Sequence, residues 1–163
     1  PFFDRDGNVH AFQGRDMSGR SAQKYITTIV NPKIPKIFGI CQVDFKKPIL
    51  VVEGPLDSLF LPNCIASVNA SLSSTADRLC AINKQLKNNM TLIFDNEPRN
   101  AEVLKHYEKA IKSDYKVVIW PHTLKLKDIN DMVLAGIDPL KIVEKHTFKG
   151  LLAEIEFNKW RRC

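Results

Sequence analysis

The stretch Ile49-Leu50-Val51-Val52-Glu53-Gly54-Pro55-Leu56-Asp57 decides the fold. Its first four residues are apolar and mostly β-branched, which predicts a strand buried on both faces, as in a parallel sheet. The strand ends at Gly54-Pro55, because proline lacks a backbone donor and this pair favours a turn. In an open α/β sheet that point is the carboxyl edge, where ligands bind. We therefore expect Glu53 to be a metal ligand or an acid/base group, and Asp57 either to join it or to be a favourable charge at a helix N-terminus.

Two further acidic clusters repeat this arrangement. Asp95-Asn96-Glu97 follows the apolar run Thr91–Phe94, and Asp128-Ile129-Asn130-Asp131 follows the predicted strand Val117–Trp120. Alternation places Asp95 and Glu97 on the same side of an extended chain, where two carboxylates repel unless a cation neutralises them. Asp128 also suits the N-cap of a helix, and one carboxylate can serve both purposes. Acidic clusters after successive strands predict one shared cation site.

These motifs resemble the toprim fold, which primases, topoisomerases and some nucleases share. The resemblance rests on Glu53-Gly54 with Asp57, then Asp95-x-Glu97, then Lys127-Asp128-Ile129-Asn130-Asp131. Flanking segments follow the order and approximate spacing of bacterial-type DNA primases, including those of T-even bacteriophages, over roughly Pro1 to Gly136. Those segments are Phe12-Gln13-Gly14-Arg15, Gln23-Lys24-Tyr25-Ile26, Ile37-Phe38-Gly39 and Ala70-Ser71-Leu72-Ser73-Ser74. The chain departs from the family's usual Asp-Gly-Asp at Asp95-Asn96-Glu97, and from its usual Asp-Pro-Asp at Asp128-Ile129-Asn130.

The resemblance implies the C-terminal catalytic part of a primase, a nucleotidyltransferase that makes RNA primers on single-stranded DNA from ribonucleoside triphosphates. It implies that Glu53, Asp95 and Glu97 are catalytic and that, with Asp57 and Asp128, they hold one or two Mg²⁺ (or Mn²⁺) ions. Alternatively, Glu53 is the general base on the primer hydroxyl. Residues that would face nucleotide and template phosphates are Arg15, Arg20 and Lys24. A replicative helicase is the expected protein partner, and the cytoplasm, of the host if the protein is phage-encoded, is the expected location.

The chain divides into three predicted segments. Residues 1–48 form a small antiparallel, basic subdomain with its connector, beginning with a hairpin around Arg5-Asp6-Gly7-Asn8 and including a strand at Tyr25–Val30. Residues 49–136 form the toprim core, an α/β unit whose parallel four-stranded sheet is flanked by helices. Residues 137–163 form C-terminal helices, which end in an exposed Trp160-Arg161-Arg162 tail. Within the core, Ser74 is the predicted cap of a helix with Leu79, Ile82 and Leu86 on one face.

Composition limits the classes of function. Lys and Arg number 24 against 18 Asp and Glu, a net charge of +6, which permits a polyanionic partner. No apolar run approaches the ~18 residues of a membrane span, and no signal peptide is visible in this sequence. The cysteines form no Cys-x-x-Cys pair, so we expect no zinc in this chain and a reducing compartment.

The chain begins at Pro1 without Met, so we expect a fragment of a longer protein. In the family that the chain resembles, a zinc-binding module lies upstream of this region. We therefore expect little primer synthesis from the fragment alone.

Rival interpretations remain open at this point. A toprim nuclease shares the acidic motifs, whereas a topoisomerase needs a nucleophilic tyrosine, for which Tyr25, Tyr107 and Tyr115 are poorly placed. A phospho-receiver domain would need an acidic pair after the first strand, where this chain has Glu53 followed by Gly-Pro. The remaining alternative is a non-catalytic replisome module that binds DNA or the helicase.

Overall fold

The computed structural model describes residues 1–18, 20, 22–23, 25–68 and 71–162. The strands in these ranges are β1 (Phe2–Phe3), β2 (Val9–Arg15), β3 (Tyr25–Ile29), β4 (Ile37–Phe38), β5 (Ile49–Val52), β6 (Cys64–Ser67), β7 (Met90–Leu92), β8 (Lys116–Val118) and β9 (Thr147–Phe148). The helices are α1 (Pro55–Ser58), α2 (Leu72–Ile82), α3 (Ala101–Lys112), α4 (Ile129–Leu134), α5 (Pro139–Lys145) and α6 (Gly150–Trp160), with a 3₁₀ helix at Lys84–Asn89. Within the same ranges, none of the helices has the length and apolar character needed to cross a bilayer.

The larger sheet has the strand order β4-β6-β5-β7-β8-β9. The inner strands β6, β5, β7 and β8 are parallel, whereas β4 and β9 pair antiparallel at the two edges. The predicted α/β class and four parallel strands are therefore present, but the prediction of a wholly parallel, four-stranded sheet is wrong. The edge strands are two-residue pairings, too short to carry a periodic signal, and they come from the segments assigned to the N-terminal connector and the C-terminal helices.

Strand β5 occupies the middle of this sheet, as its composition predicts. All of its residues are buried, and it pairs with β6 on one side and β7 on the other. Strands β7 and β8 end earlier than predicted, β7 at Leu92 instead of Phe94 and β8 at Val118 instead of Trp120. Because the inner strands are parallel, the segments that follow β5, β7 and β8 all leave from one edge of the sheet.

The N-terminal residues form a separate small sheet. Its strand order is β1-β2-β3, all antiparallel, and the predicted turn has Gly7 at φ +85°, a conformation that glycine adopts readily. Phe2 and Ala11 are buried together with Val68 and against Phe38. Val68 directly follows β6, so the small sheet lies beside the carboxyl edge of the larger sheet.

Two side-chain caps decide where helices begin. The side-chain oxygen of Ser71, not the predicted Ser74, caps α2 by accepting from the backbone N–H of Ser74 at 3.2 Å. The helix then ends at Ile82, because Asn83 is extended and its side chain caps the following 3₁₀ helix, which brings Leu86 into the core. The prediction of one continuous helix through Leu86 is therefore wrong. Asp128 caps α4 as predicted, accepting from the Asp131 N–H at 2.8 Å.

The C-terminal tryptophan is buried, which corrects the prediction of an exposed tail. Trp160 is 2% exposed, and its ring lies 4.9 Å from that of Tyr107 and 6.2 Å from that of Phe157. Its indole N–H donates to Asn96 Oδ1 at 3.1 Å, and the Arg162 N–H donates to the Pro98 carbonyl at 2.9 Å. The end of α6 is thereby attached to the segment that contains the second acidic motif.

Replacing Trp160 with Ala is expected to reduce the free energy of unfolding by about 3–5 kcal/mol, the usual cost of removing a buried large aromatic side chain. Leu151→Ala on the same helix is the matched control, since Leu151 is 71% exposed and surface changes usually stay within about 0.5 kcal/mol. Urea denaturation of both variants measures the difference. Equal effects of the two substitutions would contradict the packing described for α6.

Candidate functional site

Four of the five predicted carboxylates line one small cavity at the carboxyl edge of the larger sheet. They are Glu53 after β5, Asp95 after β7, Asp57 in α1 and Asp128 at the start of α4. The rest of the wall is mainly apolar and consists of Val52, Ile93, Phe94, Trp120 and Ile129. The topology therefore gathers acidic side chains from three separate motifs in surroundings that solvate charge poorly.

Burial and mutual repulsion change the acidity of these groups. Burial, with repulsion from Asp95 and Glu97, raises the pKa of Glu53 to about 7. Burial raises the pKa of Asp57 to about 6, with added repulsion from Asp128 and Asp131. Burial likewise raises the pKa of Asp95 to about 6, although the nearby Lys127 opposes the shift. Carboxyls that titrate near neutrality are suited to binding a cation or exchanging a proton.

Lys127 supplies the positive charge nearest to these acids. Its Nζ lies 3.6 Å from Asp95 Oδ2 and 3.5 Å from Glu97 Oε1, so Asp95 and Glu97 face the same cation, as their spacing predicts. Partial burial lowers the pKa of Lys127, but attraction to Asp95 and Glu97 outweighs this effect and the pKa is raised. In the sequence Lys127 is only the neighbour of Asp128 in the third motif, and nothing in its local sequence marks it as the partner of the second motif.

Asp57 joins the first motif to the third. Its Oδ1 accepts from the backbone N–H of Asn130 at 3.0 Å, in the first turn of α4. The expected role of Asp57 as a charge at a helix N-terminus therefore applies to α4 as well as to its own short helix. Together with the Asp128 cap, this bond holds α4 against the start of α1.

Gly54 makes room for the Asp57 carboxylate. Its φ of −101° is open to any residue, so backbone freedom does not explain the glycine. A Cβ at this position, however, would lie 2.6 Å from Asp57 Oδ2, closer than side chains approach one another. The glycine of the first motif is thus required by close packing against the site.

Asn96 fixes the second motif against the loop that leads to the third. Its Nδ2 donates to the Leu124 and Leu126 carbonyls at 3.1 and 2.9 Å, and its backbone N–H donates to the Lys127 carbonyl at 2.7 Å. Its Oδ1 accepts from the Trp160 indole. Where the family pattern has glycine, this chain has a residue that sets the position of Asp95 relative to Lys127. In the sequence Asn96 is only a departure from the family pattern, and this role was not predicted because its partners lie 28 to 64 positions away.

The donor chemistry of the cluster suits a hard divalent cation. Carboxylate oxygens are the ligands that Mg²⁺ and Mn²⁺ prefer, and clustered acids with raised pKa values gain most from such an ion. As the side chains stand, the described residues contain no group of three or more His, Cys, Asp or Glu placed to hold a metal. Asp95 and Glu97 are instead turned towards Lys127, so binding an ion there requires Lys127 to move.

Two of the three predicted phosphate-binding residues, Arg15 and Arg20, do not line this cavity. Arg15 is exposed at the end of β2, with its guanidinium carbon 5.5 Å from the centre of the Tyr25 ring, and Arg20 is exposed in the following segment. Lys24 lies outside the described residues. The structure therefore gathers the predicted acids but places Arg15 and Arg20 on the side of the small sheet.

Comparison with known proteins finds similarity in both sequence and structure. No protein-family model matches the chain. The DNA primase of Enterobacteria phage T4 is 31% identical over 167 residues, which covers 99% of this chain and 46% of that protein. The chain thus spans about half the length of this curated relative. The crystal structure of the Aquifex aeolicus primase, comprising zinc-binding and RNA polymerase domains, superposes with a TM-score of 0.65 at 20% identity. That match covers 91% of this chain and 40% of the other, and shows a shared fold.

Gly54→Ala is expected to displace the Asp57 carboxylate and to release the Asn130 N–H, at a cost of about 1 kcal/mol, as for the loss of a helix cap. Gly14→Ala is the matched control, because a Cβ there meets no atom within 4 Å. Hydrogen exchange at the Asn130 amide, with denaturant unfolding, measures both effects. Unchanged protection of Asn130 in Gly54→Ala would contradict the steric role of Gly54.

Without divalent cations, the free energy of unfolding is expected to fall as pH rises from about 5 to about 8. Folded carboxyls with raised pKa values keep protons that the unfolded chain has lost, so their stabilising contribution is complete below the unfolded pKa and disappears above the folded one. A shift of two units corresponds to about 3 kcal/mol for one group. Glu53→Gln is expected to flatten the curve and to be more stable than wild type at pH 8.

Thermal denaturation over this pH range at constant ionic strength provides the measurement. Glu154→Gln, an exposed change on α6, is the control and is expected to follow the wild-type curve. A wild-type profile that rises with pH, or a Glu53→Gln profile as steep as that of wild type, would contradict the burial of ionisable charge at this edge.

Proposed function

We propose that this chain, whose predicted resemblance to the core of the bacterial-type DNA primases is confirmed by the relative from phage T4, joins ribonucleotides on a single-stranded DNA template. The observation that carries the proposal is the gathering of Glu53, Asp57, Asp95 and Asp128 around one cavity. In this view the larger sheet is a toprim fold with an antiparallel strand added at each edge. The template and ribonucleoside triphosphates are the proposed substrates.

Glu53, Asp95 and Glu97 are the proposed catalytic residues, and with Asp57 and Asp128 they would hold Mg²⁺ or Mn²⁺. The chemistry that such an ion would supply is binding of the nucleotide phosphates and neutralisation of charge on the attacking and leaving oxygens. The support for this assignment is the raised pKa values of Glu53 and Asp95, together with the ion pair between Lys127 and Asp95, because both are expected where clustered carboxylates favour a cation. No zinc is proposed for these residues.

Glu53 has the properties of a general base. Its pKa of about 7 lets it take up a proton at physiological pH and release it in the next cycle. At the carboxyl end of the central strand, it is well placed to accept the proton of the primer 3′-hydroxyl. In this role Glu53 would not need to remain a permanent ligand of the ion.

Arg15, Arg20 and Lys24 are the proposed contacts to template or nucleotide phosphates. The support is the resemblance, together with the packing of the small sheet on Val68 directly after β6 and the exposure of Arg15 and Arg20. A replicative helicase is the proposed protein partner, on the resemblance alone. Because the chain spans about half of its curated relative, we further propose that it makes few primers by itself.

A second candidate is a non-catalytic module that binds nucleic acid. One observation favours it: within the described ranges no three acidic, histidine or cysteine side chains are positioned to hold an ion, and Lys127 already neutralises Asp95 and Glu97. Such a module would keep the fold and its basic surface but would not respond to divalent cations.

Binding of Mg²⁺ separates these candidates. At a concentration ten times the Kd, the ion is expected to stabilise the protein by about 1.4 kcal/mol, which raises Tm by about 3 °C. Asp95→Asn is expected to remove this response, to leave the metal-free protein as stable as wild type or slightly more so, and to abolish ribonucleotide addition to an annealed primer. Glu154→Gln changes charge on exposed α6 and is the control.

Thermal denaturation against Mg²⁺ concentration, with a primer-extension assay in parallel, provides the test. No effect of Mg²⁺ on the wild-type protein would favour the non-catalytic module. An unchanged Mg²⁺ response in Asp95→Asn would show that the acids have been misassigned.

A further inference from the structure

A second, larger cavity lies next to the acidic site. Its volume is about 590 Å³, and it lies between the second acidic motif, the loop after β8 and the end of α6. Basic side chains from all three segments line it, namely Arg99, His122, Lys125 and Arg162. None of these residues belongs to the site predicted from the motifs.

Three of these side chains carry a positive charge that no ion pair among the described residues neutralises. Among the described residues, the ion pairs do not include Arg99, Lys125 or Arg162, and all three are exposed. Lys125 Nζ donates to the His122 carbonyl at 2.9 Å, which keeps it beside the loop. Cations that surround a concavity and outnumber its carboxylates attract anions.

Glu97 forms the boundary with the acidic site and is the one carboxylate in the wall. Its Oε1 pairs with Lys127 at 3.5 Å, and its Oε2 accepts from Asn100 Nδ2 at 3.4 Å. Its charge is therefore partly satisfied by Lys127 and Asn100. An anion in the basic cavity would lie next to the acids without having to displace Glu97.

We propose that this basic cavity binds the triphosphate of a nucleotide. Arginine side chains pair with phosphate oxygens through two parallel hydrogen bonds, and Arg99 and Arg162 supply two such groups. The cations surround a concavity of the size of a small-molecule site, whereas a groove for an extended strand would run on with stacking aromatic side chains. Trp160 lines the cavity, but it is buried and does not offer its ring for stacking on a base. The cavity would therefore bind the phosphates and make no specific contact with the base.

The role of this cavity rests on the proposed function, since it would hold a substrate triphosphate beside the acids that act on it. Binding itself does not depend on the acids or on a divalent cation. The proposed function and the proposed phosphate site can therefore be contradicted independently of each other. Asp95→Asn is expected to eliminate the Mg²⁺ response while leaving the binding of polyphosphate intact.

The experiment titrates the protein with inorganic tripolyphosphate, without divalent cations and at constant ionic strength. The readout is the NMR signal of the two indole N–H groups, because Trp160 donates to Asn96 Oδ1 at the basic cavity and Trp120 donates to the Phe94 carbonyl at the acidic one. Tripolyphosphate is expected to shift the Trp160 signal more than that of Trp120. The signals are assigned with Trp160→Phe.

A double variant tests the residues. Arg99→Ala with Arg162→Ala is expected to weaken tripolyphosphate binding by about tenfold or more, because hydrogen bonds between charged partners are the strong class. The matched control is Lys46→Ala with Lys84→Ala, which also removes two exposed positive charges, but from segments that precede the amino ends of β5 and β7. The control is expected to bind as wild type does.

Two results would overturn the proposal. One is equal affinity for tripolyphosphate in wild type and in Arg99→Ala/Arg162→Ala. The other is binding of a short single-stranded oligonucleotide at this cavity, seen at Trp160, with no response to tripolyphosphate, which would make the cavity a strand contact.

Discussion

Repulsion between carboxylates held at one edge of a sheet is the constraint on which this structure depends. A parallel sheet directs the ends of its strands to one side, and here that side presents Glu53 and Asp95 close together with Asp57 and Asp128. Apolar neighbours such as Phe94 and Trp120 exclude the water that would screen these charges. The cost appears as a pKa near 7 for Glu53, and Lys127 relieves part of it. A site of this kind favours the binding of a cation.

The remainder of the fold keeps these charges in place against their repulsion. Asp57 is held by the Asn130 N–H, which couples α1 to α4, and Gly54 leaves the space that this geometry needs. Asn96 binds the loop before Asp128 through two carbonyls and the end of α6 through Trp160. Because α6 is also packed on Tyr107, the last helix helps to position the second acidic motif. Rigid support of this sort is what a preorganised site requires.

Local patterns predicted the elements that depend on local causes. The run Ile49–Val52 could only be a buried strand, and Asp128 before an amphipathic segment is a typical helix cap. The acidic set followed from motifs at strand ends. By contrast, the Asn130–Asp57 and Trp160–Asn96 hydrogen bonds join residues 73 and 64 positions apart, and no periodicity reveals such partners. Trp160 was predicted to lie in an exposed tail with Arg161 and Arg162, whereas packing on Tyr107 buries it.

Glu53 lies in a buried site with an excess of acidic side chains, and titration of its carboxyl carbon by ¹³C NMR tests this description most directly. In the absence of divalent ions, the account predicts a midpoint near pH 7, because burial and the neighbouring acids disfavour ionisation. Saturating Mg²⁺ is predicted to move the midpoint well below that value, since the ion stabilises the carboxylate. An ordinary midpoint near 4.5 that Mg²⁺ does not change would contradict the account.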